Sequence, residues 1–223
     1  MMSISHVAWC AVGLAFLAGC NSANKQLFDA AVSGDAAAVD AALKVQGANV
    51  NVHNGDHNTP LHEAVLVDNR ASTQALLEHG ADPNQVDEDK DTPLHFLSRK
   101  GFLDVATLLV DHNANVNAKN EDGDTPLTIA ANNGYFELCQ LYLNHGADVN
   151  SRETNGYTAL HEASKNGYIE IVRLLLDKGA DPTIRGTDGA TAFSLAQSHG
   201  YRSIADILAP RTPGAARATP VAQ

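Results

Sequence analysis

The sequence predicts an all-α solenoid of about six helix-turn-helix repeats joined by finger loops. Three observations predict it. Thr59-Pro60-Leu61-His62 returns as Thr92-Pro93-Leu94-His95, Thr125-Pro126-Leu127-Thr128 and Thr158-Ala159-Leu160-His161, with a weaker copy at Thr191-Ala192-Phe193-Ser194, and the threonines stand 33 residues apart. A second landmark keeps the same step, from Gly80-Ala81-Asp82-Pro83-Asn84 through Asn113-Ala114-Asn115-Val116-Asn117 and Gly146-Ala147-Asp148-Val149-Asn150 to Gly179-Ala180-Asp181-Pro182-Thr183. Gly101, Gly134, Gly167 and Gly200 each follow their threonine by nine residues. Self-similarity at such a period marks stacked units, none of which can bury its apolar face alone.

Each position in the unit has a physical reading. Thr is a good N-cap, because its hydroxyl can take an orphan N–H of the first helical turn. The Pro beside it sits where a missing N–H costs nothing and φ is preset. A short inner helix follows, as in Leu127, Ile129, Ala130 and Ala131, and the glycine nine residues on breaks it. A second, Leu-rich helix comes next, as in Ile171, Val172, Leu174 and Leu175. It stops at Gly80, Gly146 or Gly179, as a left-handed C-cap requires. Where a glycine is missing, Asp68 and Asn113 stand instead, and Asp and Asn are the residues best able to replace it at positive φ. Turn-rich segments such as Asn120-Glu121-Asp122-Gly123 link the units.

The period and the Thr-Pro-Leu-His signature resemble the ankyrin repeat. The resemblance covers residues 24–209 and implies repeats at 24–51, 52–84, 85–117, 118–150, 151–183 and 184–209, with finger loops between them. Both end repeats are atypical, as expected of caps. Residues 210–223 are small, Pro-containing and aperiodic, and are expected to form a disordered tail.

The beginning of the chain is different. Residues 1–19 contain no Asp, Glu, Lys or Arg, and Val7 to Ala18 is apolar apart from Gly13. That stretch is too short to span a bilayer as a helix and has the length of a signal-peptide core. It ends in Leu17-Ala18-Gly19-Cys20, which resembles the lipobox of bacterial lipoproteins, although the usual Lys or Arg before the core is missing. The resemblance implies a signal peptide at 1–19, cleavage before Cys20, lipidation of Cys20 and a short tether over 20–23. Asn21, where a retention signal would place Asp, implies an outer-membrane lipoprotein facing the periplasm. Of the three cysteines, Cys10 would leave with the signal and Cys20 would carry lipid, so Cys139 would be alone and is read as a small core residue.

A formal net charge of −11 gives no footprint for nucleic acid and makes a partner with a basic surface patch the easier one. Ten histidines invite a metal, but His62, His95 and His161 sit one repeat apart, too far for one ion. In the ankyrin family this His links the Thr hydroxyl to the neighbouring finger. No cofactor or metal is expected. No Gly-x-Ser-x-Gly, P-loop or His-Glu-x-x-His motif occurs, so catalysis is not expected.

The resemblance places a protein partner on the fingers and inner helices. The positions expected to meet it are Asp56, Glu88, Asp89, Asp91, Glu121, Asp122, Asp124 and Tyr157 on the fingers. Leu66 and Val67 form a further apolar pair on an inner helix. The charge-run alternative is a solvated face. The chain is expected to be monomeric alone. The expected role is to neutralise a periplasm-acting toxin such as a lipase effector, as an immunity protein does. The alternative is a housekeeping binder that supports a periplasmic enzyme such as a catalase.

Overall fold

A computed structural model describes residues 22–209. The expected signal peptide at 1–19, the expected lipidation site Cys20 and the expected tail from 210 therefore lie outside the described residues. Among those described there are twelve α-helices and no strand. No helix among them is long and apolar enough to cross a membrane. The chain divides into two compact units at Asp82/Pro83.

The first unit holds α1 (Ser22–Ser33), α2 (Ala36–Leu43), α3 (Pro60–Leu66) and α4 (Arg70–Glu78). Helices α1 and α2 pack on each other, and both pack on the α3–α4 pair. Leu27, Ala31, Val39, Val65 and Leu76 meet in its core with no exposed surface. Of the expected tether at 20–23, Ser22 and Ala23 instead form the first turn of α1, with Ala23 buried, while Cys20 and Asn21 lie outside the described residues. An apolar methyl that finds a core extends the helix rather than a linker. In repeat two α3 ends at Leu66, and Asp68 takes the left-handed turn at φ 53°.

The second unit holds inner helices α5 (Pro93–Lys100), α7 (Pro126–Asn133), α9 (Ala159–Asn166) and α11 (Ala192–Ser198). Its outer helices are α6 (Leu103–Asp111), α8 (Phe136–Asn144), α10 (Ile169–Asp177) and α12 (Arg202–Leu208). Inner helices pack side by side in chain order, and the outer helices do the same. The third motif position supplies the core: Leu94, Leu127 and Leu160 are at most 1% exposed.

The capping chemistry explains the motif and its departures. Thr92 N–H donates to His95 Nδ1 at 3.0 Å, and Thr158 N–H to His161 Nδ1 at 3.2 Å. Where His is absent, Thr128 Oγ1 and Ser194 Oγ accept the same bond from Thr125 and Thr191 at 2.8 and 2.9 Å. A reciprocal cap needs only an acceptor three residues into the helix, so Thr and Ser suffice. Asn113 holds φ 65° where the other repeats have glycine. An asparagine ladder ties successive turns: Asn84 Oδ1 accepts from Asn115 N–H, Asn117 from Asp148, and Asn150 from Asp181, at 2.7–2.8 Å.

Gly134 is required twice. Its φ is 81°, and a Cβ there would stand 2.6 Å from Cε1 of Tyr168, whose ring lies across it. The same contact joins Gly101 to Tyr135 and Gly167 to Tyr201. An aromatic residue before three of the outer helices thus covers the interhelix turn of the preceding repeat.

Candidate functional site

The fingers are built from their own side chains. Asp87 Oδ1 accepts the N–H groups of Asp89 and Asp91 at 2.9 and 2.8 Å, and Asp87 N–H closes the loop on Asp91 O at 3.1 Å. Asn120 does the same for its finger, with Asp124 N–H on its Oδ1 at 2.9 Å and its own N–H on Asp124 O at 3.1 Å. These are Asx turns, which suit short polar side chains. Each tip has one left-handed residue: Gly123, Gly156 and Gly189, but Lys90 at φ 60° and, in the first unit, His57 at φ 57°.

Neighbouring fingers of the second unit are joined by backbone. Glu121 N–H donates to Asp89 O at 2.9 Å, Thr154 N–H to Asp122 O at 2.9 Å, and Thr187 N–H to Asn155 O at 2.8 Å. The bases are held by the motif histidines. His95 Nε2 meets Asp124 O at 3.1 Å, and His161 Nε2 meets Ile184 O at 3.1 Å. Because a backbone N–H can only donate, Nδ1 of each ring accepts and Nε2 carries the proton. Both nitrogens are thus engaged in neutral imidazoles. Burial pushes both histidines below their ordinary value.

The structure sorts the expected contact residues into groups. Glu88, Asp89, Glu121 and Asp122 are exposed on adjoining fingers of the second unit. Asp56 is exposed on a finger of the first. Asp91 is corrected: it is 3% exposed and forms no part of a tip. Its carboxylate is paired with the Arg99 guanidinium, with one N–H···O at 3.0 Å, and accepts Asn120 Nδ2 at 2.9 Å. A buried carboxylate must be met this way, so Asp91 anchors the finger to α5. Asp124 also turns inward, half-buried, with its carboxyl on Thr128 Oγ1 at 3.3 Å.

Tyr157 is half-buried and already engaged. Its ring stacks on His161 at 5.0 Å, and its hydroxyl donates to Asp188 Oδ2 at 2.7 Å. That carboxylate bond raises the phenol to about 12. In the first unit Leu66 is half-buried and Val67 is 47% exposed, so only Val67 presents a free apolar face.

Three residues were not read from the sequence as part of the site. Glu153, Glu162 and Lys165 join Asp124, Asn132 and Tyr157 around a cavity of about 260 Å³ between the fingers and helices α7 and α9. Glu162 is buried and pairs with Lys165 at 3.2 Å. Burial, then a hydrogen bond to the Asp124 carboxyl, raises Glu153 to about 7. Glu153 and Asp124 are 29 residues apart, and only the repeat register, which sets the end of one finger (one residue before Thr125) beside the start of the next (five before Thr158), could have suggested the pair. The cavity and the tips above it together offer hydrogen-bond acceptors and negative charge to a basic surface.

Helical repeats whose inner helices and joined fingers form one continuous face define a class of binding scaffold. A family model for ankyrin repeats, in three copies, matches residues 27–120 and 115–186, and the chain belongs to the ankyrin-repeat family. As such it is a protein–protein interaction module. No curated protein matches it.

Proposed function

We propose that the chain binds a protein with a basic patch through the acidic fingers of repeats three and four, and that it silences a toxin acting in the periplasm. The toxin could be a lipase effector, which makes this an immunity-type protein. The observation that carries the binding reading is the exposure of Glu88, Asp89, Glu121 and Asp122 on two fingers fixed edge to edge by Glu121 N–H on Asp89 O. Fixed carboxylates steer a basic partner at long range and lose little freedom on docking. The envelope reading rests on Leu17-Ala18-Gly19-Cys20: Cys20 carries lipid and holds the chain at the outer membrane, facing the periplasm.

The test is co-purification after crosslinking in cells, using the full chain and a variant with Glu88, Asp89, Glu121 and Asp122 replaced by Gln or Asn. A toxic enzyme recovered with the first and lost with the second supports the proposal. A partner retained by the variant moves the site elsewhere.

A further inference from the structure

The open end of the second unit differs from its interior. Phe193 occupies the motif position where Leu94, Leu127 and Leu160 are at most 1% exposed, yet it is half-exposed. No further repeat stacks on it among the described residues. Helix α12 spans seven residues against nine in α10, because Pro210 follows at once and a residue before proline leaves the helical region. The result is a groove of about 1080 Å³. Its lining includes the apolar side chains Leu176, Pro182, Phe193 and Ile207, two cations, Arg173 and Arg185, and a single carboxylate, Asp177.

The charge of this groove is opposite to that of the acidic fingers and of the chain as a whole, whose net charge is −11. Arg173 and Arg185 are exposed, and Arg185 is held in place by Nη1–H on Gly189 O at 2.9 Å. A guanidinium pairs with a carboxylate, and the apolar side chains that share the groove favour apolar neighbours of that carboxylate. We propose that this groove is a second docking surface, for an extended segment of a partner protein that bears a carboxylate flanked by apolar residues.

Two other occupants match less well. Residues 210–223 carry Arg211 and Arg217 and no Asp or Glu, so their side chains offer this groove only like charge. A second copy could offer Val86, which is 41% exposed, beside Glu88 and Asp89. That contact would be heterologous and would build rings or filaments rather than a closed pair.

The probe is a fluorescein-labelled peptide with one glutamate between two leucines, compared with its glutamine and lysine counterparts. Binding to the full chain is read by anisotropy at low salt. The glutamate peptide is expected to bind about fivefold tighter than the lysine peptide. Arg173→Glu should reverse that order at an unchanged melting temperature. Replacing both leucines with serine should abolish binding. Equal binding of the three peptides overturns the proposal, as does an order that Arg173→Glu leaves intact. Sedimentation of the full chain adds a further arm: self-association lost in Arg173→Glu assigns the groove to a second copy and also overturns it. Because the variant leaves the fingers untouched, failure here is distinguishable from failure of the finger reading.

Discussion

Replacing Gly134 with Ala tests how the repeats are joined. Two costs meet there. An L-residue at φ 81° pays for a left-handed conformation, about 1 kcal/mol. The new Cβ also lies 2.6 Å from the Tyr168 ring, which must shift, at about 1–3 kcal/mol for overpacking. The sum is about 2–4 kcal/mol. Gly146 separates the two terms. Its φ is 83°, but a Cβ there meets nothing within 4 Å, so Gly146→Ala should cost only about 1 kcal/mol. Urea denaturation followed by circular dichroism measures both. A Tyr168→Ala background should bring the cost of Gly134→Ala down to that of Gly146→Ala, by the logic of a double-mutant cycle. Equal costs for the two glycines in the wild-type background would refute the ring contact as the reason for Gly134.

Other outcomes follow from the same geometry. Asp91→Ala should destabilise the chain by about 1.5–3 kcal/mol, since it strands Arg99 and Asn120, whereas Asp89→Ala should stay within about 0.5 kcal/mol; urea midpoints compare them. Glu153 has a folded value near 7 against an ordinary 4.5, so the folded state holds the extra proton; wild type should lose stability relative to Glu153→Gln as pH rises from 4.5 through 7. His95 and His161 act with the opposite sign: their folded values lie below 6.5, so their contribution is present above 6.5 and is lost as pH falls below it, an effect that His161→Gln should reduce in melts at pH 5 and 7. Cys139 has no exposed surface and burial pushes its thiol up to about 12, so it should react with a thiol reagent only in denaturant. Cys20→Ala should abolish labelling by palmitate, read on a gel, and normal labelling would remove the envelope reading.

The backbone was legible because each landmark solves a local problem: Thr before Pro caps a helix, and Gly, Asp68 or Asn113 turns left-handed after one. Lys90 and His57 were not legible as left-handed tips, because neither residue type announces positive φ and the surrounding Asx bonds impose it. The fate of the acids was also hidden. Asp91 and Asp89 look alike in the sequence, and what separates them is Arg99, one helix further on. Glu153 and Asp124 meet only because the register sets the end of one finger beside the start of the next. Ser22 and Ala23 read as a tether because of their place directly after Cys20-Asn21, yet they form the first turn of α1 and Ala23 is buried.

The central claim is that the acidic fingers of repeats three and four carry the partner. Surface plasmon resonance against the partner recovered by crosslinking tests it most directly, at two salt concentrations, for wild type and for the variant with Glu88, Asp89, Glu121 and Asp122 neutralised. The account predicts that neutralisation weakens binding by about 1–3 kcal/mol, mostly by slowing association, and that added salt slows wild type far more than the variant. A neutralised protein that associates as fast as wild type at both salt concentrations would contradict it and leave those carboxylates as a solvated face.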